Sequence, residues 1–481
     1  MSPQQTGEQP EQWPVRIGAD PVTTGDAMVV ASPYDGHEIG RVPRCDAGHV
    51  NHAVAAAVSA MGDPLPAWRR AEILDAAADA VADARDELAT VIAEEAAKPL
   101  RTARTEAERT VLTLRSAAVE ARTLTGEVVP MDAAEPGAGK LGFTLRVPRG
   151  VVAAISPFNF PLNLVAHKVA PAIAAGCATV LKPASQTPRS AIRLQEILMD
   201  RCDLPPGWLN VVTGSGGDVG DPLVTHADVA MVTFTGSPDV GWAMAEKAAR
   251  KKVGLELGNN APVIIDASGD WEAAASKIAT AGYSHAGQSC ISVQRVYVHR
   301  SRVEAFTEAL TTAVGDLVVG DPLDEATDVS ALIHPNETAR VRSWVDEATA
   351  SGATLTTGGE QRDRLLMPAV VRDITPDMEI SRNEVFGPVV GIAAFDTLDN
   401  AIEVANDTRY GLQAAIYTAE LEGALEAAER LNFGGVMVNE VPTFRSDQMP
   451  YGGVGDSGNT KEGPRWSVRE MTQERLVVLG R

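Results

Sequence analysis

The chain has 481 residues, 44% of them hydrophobic and 22% charged, ordinary globular usage for more than one folded unit. Lys and Arg number 42 against 64 Asp and Glu, and the resulting net charge of −22 repels phosphate backbones and excludes nucleic acid as an expected partner. No apolar run approaches the roughly 20 residues of a membrane span, and the first thirty residues lack the basic start and apolar core of a secretory leader, so a cytoplasmic protein without membrane contact is expected.

Residues 1–25 are polar and read as irregular. The segment MVVASPYDGHEIGRVPR reads as two short strands joined at Asp35-Gly36, a pair that favours tight hairpin turns. From Asp46 to Thr125, apolar residues such as Ile73, Leu74, Ala77 and Val81 recur at helical spacing, with Pro64, Pro66 and Pro99 as breaks, which predicts several amphipathic helices. A Gly/Pro-rich stretch at 135–139 then leads into β-branched runs. Strands are predicted at VVAAIS, ATVLKP, LNVVTG, MVTFTG and VGLELG, each followed by a helical or turn pattern, the sign of a doubly wound parallel sheet. A second α/β lobe follows from about Ala261 to Val441, with strands at APVIID, RVYVHR and GPVVGIAAF. The tail RLVVLG is expected to pair with the early hairpin, and no internal repeat or low-complexity tract interrupts the chain.

The four cysteines, Cys45, Cys177, Cys202 and Cys290, lie far apart with no CxxC, so neither a disulfide framework nor a metal site is expected. Cys290, in HAGQSCISVQRV, sits where a turn pattern gives way to a β-branched strand, a junction that exposes a side chain. The other three read as small buried apolar residues. A thiol of ordinary pKa is only a few per cent ionised at neutral pH, so a nucleophilic Cys290 needs a neighbouring base or a lowered pKa. Glu256, 34 residues upstream where a strand meets a glycine turn, is placed to deprotonate water. Standing alone, a Glu before Gly reads more readily as a turn or ion-pair residue.

The segments SPFNFP (156–161), KPASQTP (182–188), FTGS (234–237), LELGNN (255–260), GQSC (287–290) and NEVFGPV (383–389) resemble, in order and spacing, the successive motifs of the aldehyde dehydrogenase superfamily. The resemblance covers nearly the whole chain from about residue 28, and six motifs in register are far more specific than any one of them. It implies that Cys290 attacks an aldehyde carbon, that the Asn159 amide and the Cys290 backbone N–H donate to the oxyanion, and that Glu256 activates the water that hydrolyses the thioester. It implies NAD or NADP as cofactor, held at Ser156, Phe158, Lys182, Ser185, Gly214, Phe234, Gly236, Ser237, Leu257, Glu384 and Phe386. Within that set, Lys182 matches the contact to the adenosine ribose, Gly236 and Ser237 a pyrophosphate site at a helix N-terminus, and Glu384 the grip on the nicotinamide ribose. Ser185 stands where many NAD-using relatives carry Glu; a hydroxyl there accepts a 2′-phosphate, which favours NADP. Glu462 in NTKEGP matches a proton-relay position of some members, with a surface location as the expected alternative.

Where the family usually continues Gly-Gly, Gly258 is here followed by Asn259 and Asn260, which puts close backbone packing beside Glu256 in question. The loop NEVPTFRSDQMPYGG resembles the family's substrate mouth. Arg445, with His167 and Arg115, is a candidate clamp for a carboxylate, sulfonate or phosphate on a small aldehyde, an ion pair within the chain being the equal alternative. The segments PFNFPLNLVAHKVAPA and AGQSCISVQRVYVHR resemble the lactaldehyde and non-phosphorylating glyceraldehyde-3-phosphate dehydrogenase branch, which puts small hydroxy- or anion-bearing aldehydes ahead of long alkyl ones.

The fold implied is α/β: a Rossmann-like cofactor domain (1–125 and 143–256), an α/β catalytic domain (257–455) and a small β-strand oligomerisation element (126–142 and 456–481) that joins copies into a homodimer or homotetramer. Two rival functions are a dehydrogenase that passes its acyl group to coenzyme A, whose members commonly lack a carboxylate at the Glu256 position, and a catalytically silent binding protein of the same fold.

Overall fold

The computed structural model describes residues 11–248 and 250–480; residues 1–10, the start of the stretch read as irregular, lie outside it. The rest of that stretch is ordered. Val15–Ile17 runs antiparallel to Asp20–Val22, and Val15 and Ile17 are fully buried. Strands of three residues are too short for a period-two pattern to register, which is why the sequence reads as irregular there. The predicted hairpin forms between Ala27–Ala31 and Glu38–Pro43. Four helices follow, Ala47–Met61, Ala67–Asp83, Arg85–Ala96 and Leu100–Thr123. Pro66 and Pro99 stand just before the second and fourth, where a missing N–H breaks no helical bond.

Five parallel strands lie in the order Lys252–Glu256, Val229–Thr235, Val151–Ile155, Thr179–Lys182, Leu209–Val211. The chain starts this sheet at its centre with Val151–Ile155, builds outwards to one edge, and crosses back to place Val229–Thr235 on the other side. That reversal opens a crevice at the carboxyl ends of the two central strands, where open α/β sheets take their ligands. Val151–Ile155 is buried along its whole length, as expected of a parallel strand covered on both faces, and this explains its continuous apolar run. Residues 156–162 and 236–237 leave the two central strands and therefore border the crevice.

A second sheet has seven strands in the order Thr354–Thr357, Ala369–Arg372, Val389–Phe395, Val293–His299, Ala261–Ile265, Gln413–Tyr417, Gly435–Val438. All neighbours are parallel except the pair at the Thr354–Thr357 edge. The buried apolar residues divide accordingly, one cluster drawn from residues 13–257 with Val468 and Met471, another from residues 263–441.

The tail strand Thr472–Leu479 pairs with Leu141–Pro148, not with the early hairpin, and Leu141–Pro148 also pairs with Val128–Val129. Eight consecutive residue pairs join the tail to Leu141–Pro148, which places the tail at the edge of a three-stranded sheet. The small sheet thus runs past residue 142, while helix Pro464–Met471, grouped with it in the sequence reading, buries Val468 and Met471 in the first core. Among the described residues no helix is long and apolar enough to cross a membrane.

Candidate active site

Cys290 lies just before strand Val293–His299, where the two large sheets meet. The turn leading to it is strained: His285, Ala286 and Gly287 hold φ of 50°, 54° and 71°. Non-glycine residues keep such angles only where their surroundings over-determine them. Gln288 supplies part of that restraint, its Oε1 accepting from the Ile333 N–H (2.9 Å) and its Nε2 donating to the His285 carbonyl (3.2 Å). Gly287 abuts the Gly387 carbonyl so closely that a Cβ would overlap it. The thiol is only partly exposed. It borders a cavity of about 390 Å³ with Asn159, Ser237 and Glu384, and another of about 30 Å³ with Glu256, Arg445 and Tyr451. Burial pushes the thiol up to about 12, opposed by a hydrogen bond with the Tyr451 hydroxyl at 2.8 Å. At rest it is therefore protonated and needs a base.

Asn159 comes from the loop between strand Val151–Ile155 and helix Asn163–Ala175. Glu106 pins the end of that loop, accepting from the backbone N–H groups of Leu162 (2.9 Å) and Asn163 (3.1 Å), donors that a helix start leaves without internal partners. Lys98 pairs with Glu106, both side chains being wholly buried. Asn159 is buried too, and its Nδ2 donates to the Gln288 carbonyl at 2.9 Å. An amide carries two hydrogens, so one remains for a ligand beside Cys290. Among the described residues the Cys290 N–H has no protein acceptor.

Glu256 ends its strand with both carboxylate oxygens buried and unpartnered. Burial first, and then the negative charge of Glu462, holds its carboxyl well above the usual carboxylate range, while Arg445 and Lys168 pull the other way. Glu462 is not at the surface: it is 4% exposed, because its segment folds back on Tyr451 as an antiparallel bridge. It accepts from Arg445 at 2.7 Å and lies 3.6 Å from Lys168 Nζ. Against the effect of burial, His167, Arg445 and Lys168 hold Glu462 down to about 2. Of these two neighbouring carboxyls, one stays ionised and the other is poised to exchange a proton.

The three residues named as a substrate clamp fare differently. Arg445 is in an ion pair with Glu462, lies 3.8 Å over the Tyr451 ring and sits 3.3 Å from His167 Nε2. His167 is fully buried, its Nε2 3.0 Å from Asp447, and burial with the Arg445 charge lowers its pKa. Arg115 belongs elsewhere: it pairs with Asp79 at 2.8 Å with half its side chain exposed, and lines none of these cavities. On the same helix, Arg109 occupies the cavity side and grips Asp447 at 2.7 and 3.2 Å. Six positions separate the two arginines, which on an α-helix turns them about 120° apart. Arg109, Phe160 and Ser289 border both the small cavity and a wider one of about 470 Å³, whose wall includes His285 and Thr443.

On the other side of Cys290, the 390 Å³ cleft contains Phe158, Gly236, Leu257 and Phe386. Phe158 and Phe386 meet edge to face at 5.8 Å. Gly236 rests on the Phe234 ring, which any Cβ there would strike, so backbone alone can approach a ligand. Ser237 stands before helix Pro238–Lys247 and makes no capping bond, which leaves its hydroxyl and the first-turn N–H groups for an anion. Glu384 accepts from the Asn259 N–H at 3.0 Å, and burial pushes it up to about 7. The Ser156 hydroxyl is buried without a partner. Lys182 is buried, donates to the Pro183 carbonyl at 3.2 Å, and is lowered by burial to about 8. Ser185 is exposed and donates to the Gly214 carbonyl at 3.1 Å, tying together the two outer loops of the sheet. Unpartnered hydroxyls, a bare glycine and a buried ammonium in one crevice fit a dinucleotide. Asn259 and Asn260 need no positive φ, and their amides bind the carbonyls of Gln413 (3.1 Å), Ser381 (2.8 Å) and Asn383 (3.0 Å), so they lock the crossing beside Glu256.

Residues the sequence reading did not single out are Tyr451, Lys168, Arg109, Asp447 and Arg340. Arg340 lines the cleft and donates to the Val385 carbonyl at 2.7 Å. Only Tyr451 carried a local hint, an aromatic beside the glycine pair of MPYGG.

Comparison with known proteins gives the family. The model of the aldehyde dehydrogenase family matches residues 22–477. A 3-sulfolactaldehyde dehydrogenase of Priestia aryabhattai is 43% identical over 98% of this chain and 98% of its own length. A lactaldehyde dehydrogenase of Methanococcus vannielii is 37% identical over 94% and 96% of the two chains. Among solved structures, a glyceraldehyde-3-phosphate dehydrogenase from Methanocaldococcus jannaschii complexed with NADP superposes with a TM-score of 0.92 at 36% identity, covering 95% of this chain and 100% of the other. Aldehyde dehydrogenase 21 from Physcomitrella patens, in complex with succinate, superposes at 0.94 with 35% identity, covering 98% and 99%. The chain belongs to the aldehyde dehydrogenase family.

Proposed function

We propose that this chain oxidises small hydroxy- or anion-bearing aldehydes to carboxylates with NAD or NADP, through a thioester on Cys290. One observation carries the reading: the thiol stands between a cleft that fits a dinucleotide and a small cavity that also holds Arg445 and Tyr451, with Asn159 on the first side and Glu256 on the second. The Cys290 thiol gives its proton to the Glu256 carboxylate, directly or through water, and the sulfur adds to the aldehyde carbon. Charge moves to the carbonyl oxygen, which the free Asn159 amide hydrogen and the Cys290 N–H stabilise. A nicotinamide dinucleotide, when bound, supplies the hydride acceptor that turns this adduct into a thioester. Glu256, having passed the thiol proton to solvent, then takes a proton from water, whose oxygen attacks the thioester carbonyl; the C–S bond breaks, and the acid leaves with Cys290 as the thiolate.

The names of the relatives favour small polar aldehydes, a 3-sulfolactaldehyde dehydrogenase and a lactaldehyde dehydrogenase being among them. The Ser185 hydroxyl, with Lys182 behind it, favours NADP, and two of the solved relatives are complexed with NADP. The small sheet exposes Val128, Leu141, Leu476 and Leu479, which supports pairing of copies into a homodimer or homotetramer. Four free cysteines suit the reducing cytoplasm.

The test is NAD(P)H formation by the purified chain with lactaldehyde, sulfolactaldehyde, succinate semialdehyde and a neutral alkyl aldehyde, each with and without coenzyme A. Turnover independent of coenzyme A, and lost in Cys290→Ser, is expected. A coenzyme A requirement would favour the acylating reaction, and failure to reduce either dinucleotide would overturn the reading.

A further inference from the structure

We propose that Tyr451 is a further catalytic residue, whose hydroxyl donates a hydrogen bond to the Cys290 thiolate and holds the sulfur aimed for attack. The proposal rests on the reading of Cys290 as the nucleophile. Tyr451 Oη lies 2.8 Å from Cys290 Sγ, and the tyrosine is 2% exposed.

The ring is held by a closed circuit of contacts. The Tyr451 N–H donates to the Glu462 carbonyl (3.0 Å) and the Glu462 N–H donates to the Tyr451 carbonyl (2.5 Å). The Glu462 carboxylate grips Arg445 at 2.7 Å, and the Arg445 guanidinium covers the Tyr451 ring at 3.8 Å. Ile291 and Leu412 pack with the tyrosine, beside Cys290. A ring fixed from its backbone and its face cannot carry its hydroxyl away from the sulfur. Among the described residues that hydroxyl has no side-chain partner other than Cys290.

Burial keeps the proton on the tyrosine, its pKa lying well above 10 despite the guanidinium beside it. Once Cys290 loses its own proton the phenol can therefore only donate. A bond to a charged acceptor is stronger than one to a neutral thiol, so the contact favours the ionised sulfur that burial otherwise opposes. When sulfur bonds to carbon it becomes a weak acceptor and the contact relaxes. The phenol O–H bond is never broken, and the thiol proton leaves by way of Glu256.

The experiment is the pH dependence of Cys290 alkylation by iodoacetamide in the full chain, with Cys290→Ser as background. Tyr451→Phe removes the hydroxyl and keeps the ring under Arg445. The ionisation midpoint of the thiol is expected to rise by about one pH unit, with alkylation below it slowed about tenfold, the loss of one hydrogen bond to a charged group. Circular dichroism and melting of the variant are expected to match the parent, and kcat to fall most at low pH. Coincident alkylation profiles in parent and Tyr451→Phe would overturn the proposal while leaving Cys290 as nucleophile. Aldehyde oxidation persisting in Cys290→Ser would instead overturn the nucleophile reading, and the tyrosine's role with it.

Discussion

Replacing Asn159 by Ala separates the work of the oxyanion donor from that of the fold. Among the described residues the side chain makes one hydrogen bond, Nδ2 to the Gln288 carbonyl at 2.9 Å, and its Oδ1 makes none. Folding therefore loses one neutral hydrogen bond, about 1 kcal/mol, and the melting temperature of so long a chain drops by roughly 1 °C. The transition state loses a donor to the developing oxyanion, about 2.7–4 kcal/mol, or roughly a hundred- to a thousandfold in kcat. These magnitudes differ enough to be read independently. Initial rates of NAD(P)H formation at saturating neutral aldehyde report the second, and alkylation of Cys290 by iodoacetamide, which builds no oxyanion, serves as the control. The expected result is a kcat down by about a hundredfold or more with alkylation at the parental rate. A parental kcat would refute the role of Asn159, and an equal fall in both rates would show that it acts on the sulfur through Gln288 instead.

Arg445→Ala leaves Glu462 with only Lys168 at 3.6 Å and His167 at 4.0 Å, and stripping one partner from a buried ion pair costs about 3–5 kcal/mol. A lower melting temperature is expected, with KM rising alike for anionic and neutral aldehydes; a rise confined to anionic ones would restore the clamp reading. Ser185→Glu places a carboxylate beside a 2′-phosphate, and kcat/KM with NADP is expected to fall about tenfold relative to NAD, the effect of ~1.4 kcal/mol of repulsion. An unchanged ratio would remove Ser185 from cofactor choice. Glu95 accepts from the Arg189 N–H (2.7 Å) and the Ser190 N–H (3.0 Å), yet burial raises it from 4.5 to about 7. With its folded pKa above the unfolded one, its contribution is complete below pH 4.5 and is lost as pH rises to about 7, roughly 3 kcal/mol in all. Melting temperatures from pH 4.5 to 7.5 should fall more steeply for the parent than for Glu95→Gln, and parallel curves would exclude the linkage.

The central strands were legible because a parallel strand covered on both faces must be apolar throughout, and VVAAI has no other use for five such residues in a row. Cys290, Asn159 and Glu256 stand out through the resemblance of their motifs to a family; standing alone, Glu256 reads as a turn or ion-pair residue. What escaped was everything that depends on the rotation of a helix or on distant partners. Arg109 and Arg115 look equivalent in the sequence, and only the packing of their helix turns Arg109 towards Asp447, 338 positions away. Glu462 reads as a surface residue until its segment folds back on Tyr451. Strands such as QAAIY and GVMV are short and rich in small residues, with no alternation to mark them.

Gly287 and Gly387 touch backbone to backbone, and any side chain at the first would collide with the carbonyl of the second. One glycine belongs to the loop bearing the nucleophile, the other to the loop bearing Glu384 and Phe386. Any residue larger than glycine at position 287 would therefore have to part the two loops, and with them the walls of the cleft beside Cys290.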